Sequence, residues 1–204
     1  MTRKILLGGV AGGVALLVWS VLAWTLLPLH RSSLRRLEAE DRVVAALVEA
    51  DTRGGLYVIP GLPASLGESK EAAAGAASEW EARASRGPLA TLAYRPVGRP
   101  PGRMFRPIVR GLLLATAAAL YSAWALSRAR IGSFLGRAAF VVGMGLFAWT
   151  LGPAMQWTWF AYPAGYTAAV LFDALAGWAI VGIVQAGIVR PVPAPSPPVR
   201  PRRT

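Results

Sequence analysis

The chain has no cysteine and only one histidine, His30. Without cysteine there can be no disulfide, thiolate metal site, iron–sulfur ligation or cysteine nucleophile within it. A single histidine argues against a histidine-based metal centre or a catalytic triad. Lysine is nearly missing, with Lys4 and Lys70 standing against twenty arginines, and acids are outnumbered ten to twenty-two, for a formal net charge of +12. No catalytic or cofactor motif emerges, so no catalytic, cofactor-binding or metal residues are assigned and no cofactor is expected.

What is abundant is apolar. Hydrophobic residues make up 54% of the 204 positions and the mean hydropathy is +0.44. A soluble nucleic-acid binder can be this basic but is seldom this oily, so no nucleic-acid partner is expected. Apolar spans flanked by basic loops reconcile the two numbers, and the first expected partner is the lipid bilayer.

Four stretches read as transmembrane helices. The first covers 5–27 without a charge; at 1.5 Å per residue it reaches roughly 35 Å, enough for the hydrocarbon core. Arg3 and Lys4 precede it, as in a secretory signal. The run exceeds an ordinary signal core, however, and Trp19 and Trp24 stand where small cleavage-site residues would be, so an uncleaved anchor is expected. Gly8, Gly9, Gly12 and Gly13 form two overlapping GxxxG spacings that let another helix approach closely. Packing within the chain is favoured over self-association. The remaining spans are 108–127, 134–152 and 165–189. The second and third are joined by a short arginine-bearing turn and so form an antiparallel hairpin.

An insertion of about eighty residues, 28–107, separates the first two spans. Leu34, Leu37, Val44, Leu47 and Val48 recur at helical spacing, predicting an amphipathic helix over 33–50 that Gly54 and Gly55 terminate. Residues 56–60 and 89–95 read as short strands closed by Pro60–Gly61 and by Pro96 with Gly98. The Ala- and Glu-rich stretch 67–86 reads as a solvated helix or loop. One helix and two short strands form no independent core, so the insertion should lean on the membrane or on a partner. Beyond the last span, 190–204 is a basic, proline-rich tail expected to be disordered.

With four spans, Arg3, Lys4, Arg128, Arg130, Arg137, Arg190, Arg200, Arg202 and Arg203 fall on one side. The uncharged loop 153–164 falls on the other. This contrast predicts cytoplasmic termini and an extracytoplasmic insertion. Arg31, Arg35, Arg36, Arg99, Arg103 and Arg106 oppose it, but long segments translocate largely regardless of charge. In the uncharged loop, Trp157, Trp159, Phe160 and Tyr162, with Tyr166 just beyond, are expected as interfacial aromatics at headgroup level.

Nine of the ten acids lie in the insertion; the tenth, Asp173, stands inside the fourth span. A charge at that depth costs about 2.5–3.5 kcal/mol on insertion scales, so it should face a partner group inside the bundle. Its depth, about 12 Å from the outer end, matches Thr116 and Ser20, with Arg110 nearer the surface. An intramembrane polar cluster of Asp173 with Thr116 or Ser20, reached by Arg110, is expected, first as a device that sets helix register.

GGLYVIPG (54–61), GPLATLAYRPVG (87–98) and WTWFAYPAGYT (157–167), ahead of a last span with an Asp, resemble a family of small uncharacterised bacterial inner-membrane proteins with GxYxxPG and WxWFxxPxxY-type motifs. The resemblance implies an inner-membrane location and architecture and carries no activity or catalytic residues. The expected fold is an all-α membrane protein, a four-transmembrane-helix bundle with a small α+β extracytoplasmic insertion between helices 1 and 2. The leading function class is a non-enzymatic accessory, assembly or structural component that meets a larger membrane-protein partner or itself. The alternatives are a small transporter or channel using Asp173, and a membrane-embedded lipid-modifying enzyme.

Overall fold

A computed structural model describes residues 2–63, 70–98, 100, 102 and 105–190. The chain is mostly helical, in the order α1 (Thr2–Thr25), α2 (Glu40–Glu49), β1 (Gly55–Ile59), α3 (Lys70–Arg86), β2 (Ala90–Tyr94), α4 (Phe105–Arg128), α5 (Phe134–Leu151), α6 (Pro153–Trp159) and α7 (Ala164–Ile188). Among the described residues four helices are long and apolar enough to cross a membrane: α1, α4, α5 with its continuation through α6, and α7. The expected tail lies, apart from Arg190, outside the described residues.

The described residues fall into two compact units, one within Met1–Leu27, Phe105–Ala148 and Phe172–Thr204, the other within Pro28–Met104 and Trp149–Leu171. The first holds α1, α4 and most of α5 and α7. Its core consists of Ala119, Ala123, Leu126, Val141, Val181 and Val189, with Leu16, Phe140 and Trp178 packed against them. Such small side chains bring helix axes close, which is how helices associate where no hydrophobic effect drives them together. Leu6, Val10, Val14 and Val18, spaced four apart on α1, are each about half exposed. In water that stripe would cost about 25 cal/mol per Å² of apolar surface; hydrocarbon solvates it.

Glycine sets the spacing. A Cβ built at Gly8 would stand 2.7 Å from Val189, and one at Gly12 would meet Gln185, Val181 and Ala119, so this pair faces α7 and α4 together. Gly9 and Gly13 press against Leu120 and Thr116 of α4. The overlapping GxxxG spacings thus pack within the chain. Elsewhere Gly145 of α5 receives the Trp178 ring, and Gly182 of α7 lies against the Ala138 backbone, where a Cβ would be 2.7 Å from the carbonyl oxygen.

The second unit holds α2, the sheet, α3 and α6. The strands pair antiparallel with Gly55 opposite Tyr94, Tyr57 opposite Leu92 and Ile59 opposite Ala90. Two elements differ from expectation, and a third is decided between its alternatives. The amphipathic helix begins at Glu40 rather than at 33, because 28–34 is a turn in which Ser32 and Leu34 backbone amides bond to Pro28 and His30 and the Ser33 hydroxyl bonds to the His30 carbonyl at 2.9 Å. Serine hydroxyls compete in this way with helical hydrogen bonding. Starting at Glu40 and Asp41 also places acids, rather than Arg35 and Arg36, at the positive helix end.

The Ala-rich stretch is a defined helix, α3, as alanine's propensity favours. Gly87, at φ +69°, follows it in the left-handed conformation that ends helices. The aromatic loop contains a short helix, α6, opened by Pro153, whose missing N–H costs nothing in a first turn.

Candidate functional site

A polar site forms where α1, α4 and α7 converge. Trp19 lies on α1, and its indole Nε1 donates to Asp173 Oδ1 on α7 at 2.7 Å and to the Asp173 carbonyl at 3.2 Å. Space for the indole comes from Gly177, one turn along α7, where a Cβ would be 2.9 Å from Trp19 Cδ1. Beside this pair is a half-open recess of about 300 Å³, lined by Leu16, Leu17, Trp19 and Ser20 from α1, Gly111 and Ala115 from α4, and Asp173, Ala174 and Trp178 from α7. Trp178 is held from behind by Gly145.

Of the anticipated polar cluster, Ser20 shares the recess with Asp173. Thr116 is instead packed beneath Gly13. Arg110 is exposed. The reason is helical geometry: α4 turns its Gly111–Ala115 face to the recess, and residues 110 and 116 are each rotated by about 120° from the middle of that face. Residues at one depth along neighbouring helices meet only when their azimuths also agree.

A second polar node lies near the other end of the helices. Gln185 of α7 is fully buried, and its amide is shared among three helices. Ser122 Oγ of α4 donates to Gln185 Oε1 at 2.9 Å; Gln185 Nε2 donates to the Ala119 carbonyl at 2.7 Å and to the Gly8 carbonyl of α1 at 3.4 Å. Ser122 is also wholly buried and sits 3.0 Å from the Ala119 carbonyl. A buried amide left unsatisfied in hydrocarbon would cost several kcal/mol, so this clamp specifies the register of three helices.

Arg137 on α5 forms a third node. Its Nε and Nη2 donate to the Ala186 carbonyl in the last turn of α7 at 3.2 and 2.9 Å, and Nη1 donates to the Gly132 carbonyl at 2.6 Å. The guanidinium thereby caps a helix C-terminus, where orphan carbonyls and the helix dipole favour a cation. In the sequence Arg137 is legible only as a topological charge, and Gln185, Ser122, Trp178 and the indole of Trp19 do not stand out as site residues. One signal was available: the chain has two glutamines and no asparagine, so Gln185 was an isolated amide in an apolar span.

The remaining candidates lie in the second unit. Trp157, Trp159 and Phe160 are 52%, 75% and 41% exposed. The Tyr162 and Tyr166 rings lie 5.9 Å apart, and the Phe160 carbonyl accepts the Thr91 hydroxyl of β2 at 2.8 Å. His30 is buried, at 2% exposure. Among the described residues no group of three or more His, Cys, Asp or Glu side chains is placed to hold a metal ion. No family model, curated protein or solved structure matches the chain.

Proposed function

We propose that this chain is a non-enzymatic accessory or assembly component of the bacterial inner membrane, with both termini in the cytoplasm and the 28–107 insertion outside, docking onto a larger membrane protein. The observation that carries this reading is the uncovered amphipathic helix in the insertion. Helix α2 has no buried residue, and Val43, Val44 and Val48 are 41%, 49% and 66% exposed. Leu56 of β1, and Leu62 and Leu89 just outside the two strands, are 65%, 73% and 58% exposed.

Apolar surface of this kind marks an interaction face. The charge of α2 favours protein over lipid as its cover: Glu40, Asp41 and Glu49 outweigh Arg42, whereas helices that lie on anionic bilayers are rich in Lys and Arg. The arginine contrast between the two sets of loops supports the orientation.

The test is extraction from native membranes in a mild detergent, with mass spectrometry of what co-migrates. A stoichiometric larger membrane protein is expected, and Val44→Glu should release it. Migration of the wild-type chain alone, as a monomer or homo-oligomer, would overturn the accessory reading.

A further inference from the structure

We propose that the exposed face of α4 holds an anionic phospholipid whose phosphate is clamped by Arg106 and Arg110. This goes beyond the accessory reading and requires only that α4 crosses a bilayer.

The clamp comes from helical spacing. Four residues separate the two arginines, which sets them roughly 6 Å apart along the helix axis and about 40° apart around it. Both are exposed, and neither guanidinium makes a hydrogen bond or ion pair with any described residue. No acid stands on α4 to neutralise them, and neither belongs to the recess that holds Asp173. Two uncompensated arginines on one face of a membrane-crossing helix call for an anion. Phosphate suits them, because each planar guanidinium can donate two parallel hydrogen bonds to its oxygens.

Further along α4 the same face is apolar. Leu113, Ala117, Tyr121 and Trp124 recur within about 60° of Arg106 around the axis, and all are exposed. Leu114, at 72% exposure, flanks them. The Tyr121 and Trp124 rings lie 5.7 Å apart. From Arg110 to Tyr121 the helix rises roughly 16 Å, close to half of a hydrocarbon core of about 30 Å. A lipid with its phosphate at the arginines therefore lays its acyl chains along Leu113, Leu114 and Ala117 and ends them near Tyr121.

Charge selects the lipid class. A zwitterionic headgroup would bring its own ammonium beside two guanidinium groups. A phosphatidylglycerol-type headgroup leaves a net negative charge to meet them. Inorganic phosphate would answer the arginines and leave the leucines uncovered.

The test is native mass spectrometry of the full chain in a maltoside detergent. The chain is titrated with phosphatidylglycerol or with phosphatidylcholine of the same acyl chains. The wild-type chain should retain one phosphatidylglycerol under conditions where phosphatidylcholine is lost, and its melting temperature should rise with the anionic lipid alone. The double variant Arg106→Gln, Arg110→Gln should lower that retention at least fivefold and abolish the rise. Its melting temperature in lipid-free detergent should match that of the wild type. Arg128→Gln is the positional control, because it removes an exposed arginine from the other end of the same helix; retention should be unchanged.

Equal retention of the two lipids, an equal loss in Arg128→Gln, or undiminished retention in the double variant would overturn the proposal. So would a lipid-free dimer that the double variant splits into monomers, since the face would then belong to a second copy of the chain.

Discussion

The side-chain amide of Gln185 lies directly over Gly12, so close that a Cβ at residue 12 would be 3.0 Å from Nε2. The glycine spacing on α1 and the polar clamp on α7 are therefore parts of one contact. Gly12 supplies the opening, and Gln185 fills it with a group that reaches the Gly8 carbonyl one turn away.

The glycines should differ in how they tolerate alanine. At Gly12 the neighbours are side-chain atoms of Gln185, Val181 and Ala119 at 3.0–3.2 Å, which can yield by a few tenths of an ångström. At Gly13 the obstacle includes the Thr116 backbone. Gly13→Ala is expected to cost about 1–3 kcal/mol, typical of overpacking, and Gly12→Ala distinctly less. Reversible unfolding in mixed micelles measures both. An equal cost would mean that α1 and α4 shift apart more readily than this packing allows.

Ser122 and Gln185 should be energetically coupled. Ser122→Ala, Gln185→Leu and the double variant form a double-mutant cycle. Interhelical hydrogen bonds in membranes average about 0.6 kcal/mol and reach about 1.7 kcal/mol. The full burial of this pair places the expected coupling in the upper half of that range. A coupling near zero would show that Gln185 is held by the Ala119 and Gly8 carbonyls alone.

Arg137 should not be replaceable by lysine. Its guanidinium serves the Ala186 carbonyl with two nitrogens and the Gly132 carbonyl with a third, a fork that a single ammonium does not reproduce. Hydrogen bonds from charged donors contribute about 1.5–3 kcal/mol each side of such a contact. Arg137→Gln is expected to lose about that much and Arg137→Lys most of it. Amide hydrogen exchange in the last turn of α7 should accelerate in both variants. Unchanged exchange in Arg137→Lys would reduce Arg137 to a topological charge.

Some features were readable one residue at a time. Long uncharged runs announce helices able to cross a membrane, because the only comfortable place for so much apolar surface is hydrocarbon, and the backbone there must satisfy its own hydrogen bonds. A lone Asp173 in such a run announces a polar contact for the same reason. The start of α2 at Glu40 is not legible in the sequence, because leucine spacing at 34 and 37 fits a helix and spacing does not register the serine-to-carbonyl bond that helps hold 28–34 as a turn.

By itself, then, the sequence determined that four apolar helices exist, that Asp173 needs company inside one of them, and that glycines on α1 invite a close neighbour. Tertiary structure alone decided who the company is. Whether Trp19 or Thr116 meets Asp173, whether Gln185 faces lipid or the Gly12 opening, and whether Arg137 is only a flanking charge or the cap on α7 depend on the rotation of each helix about its axis. A shift of one residue turns a side chain by about 100°. The difference between apolar faces of small residues is too slight to fix that angle, and the few buried hydrogen bonds between helices settle it.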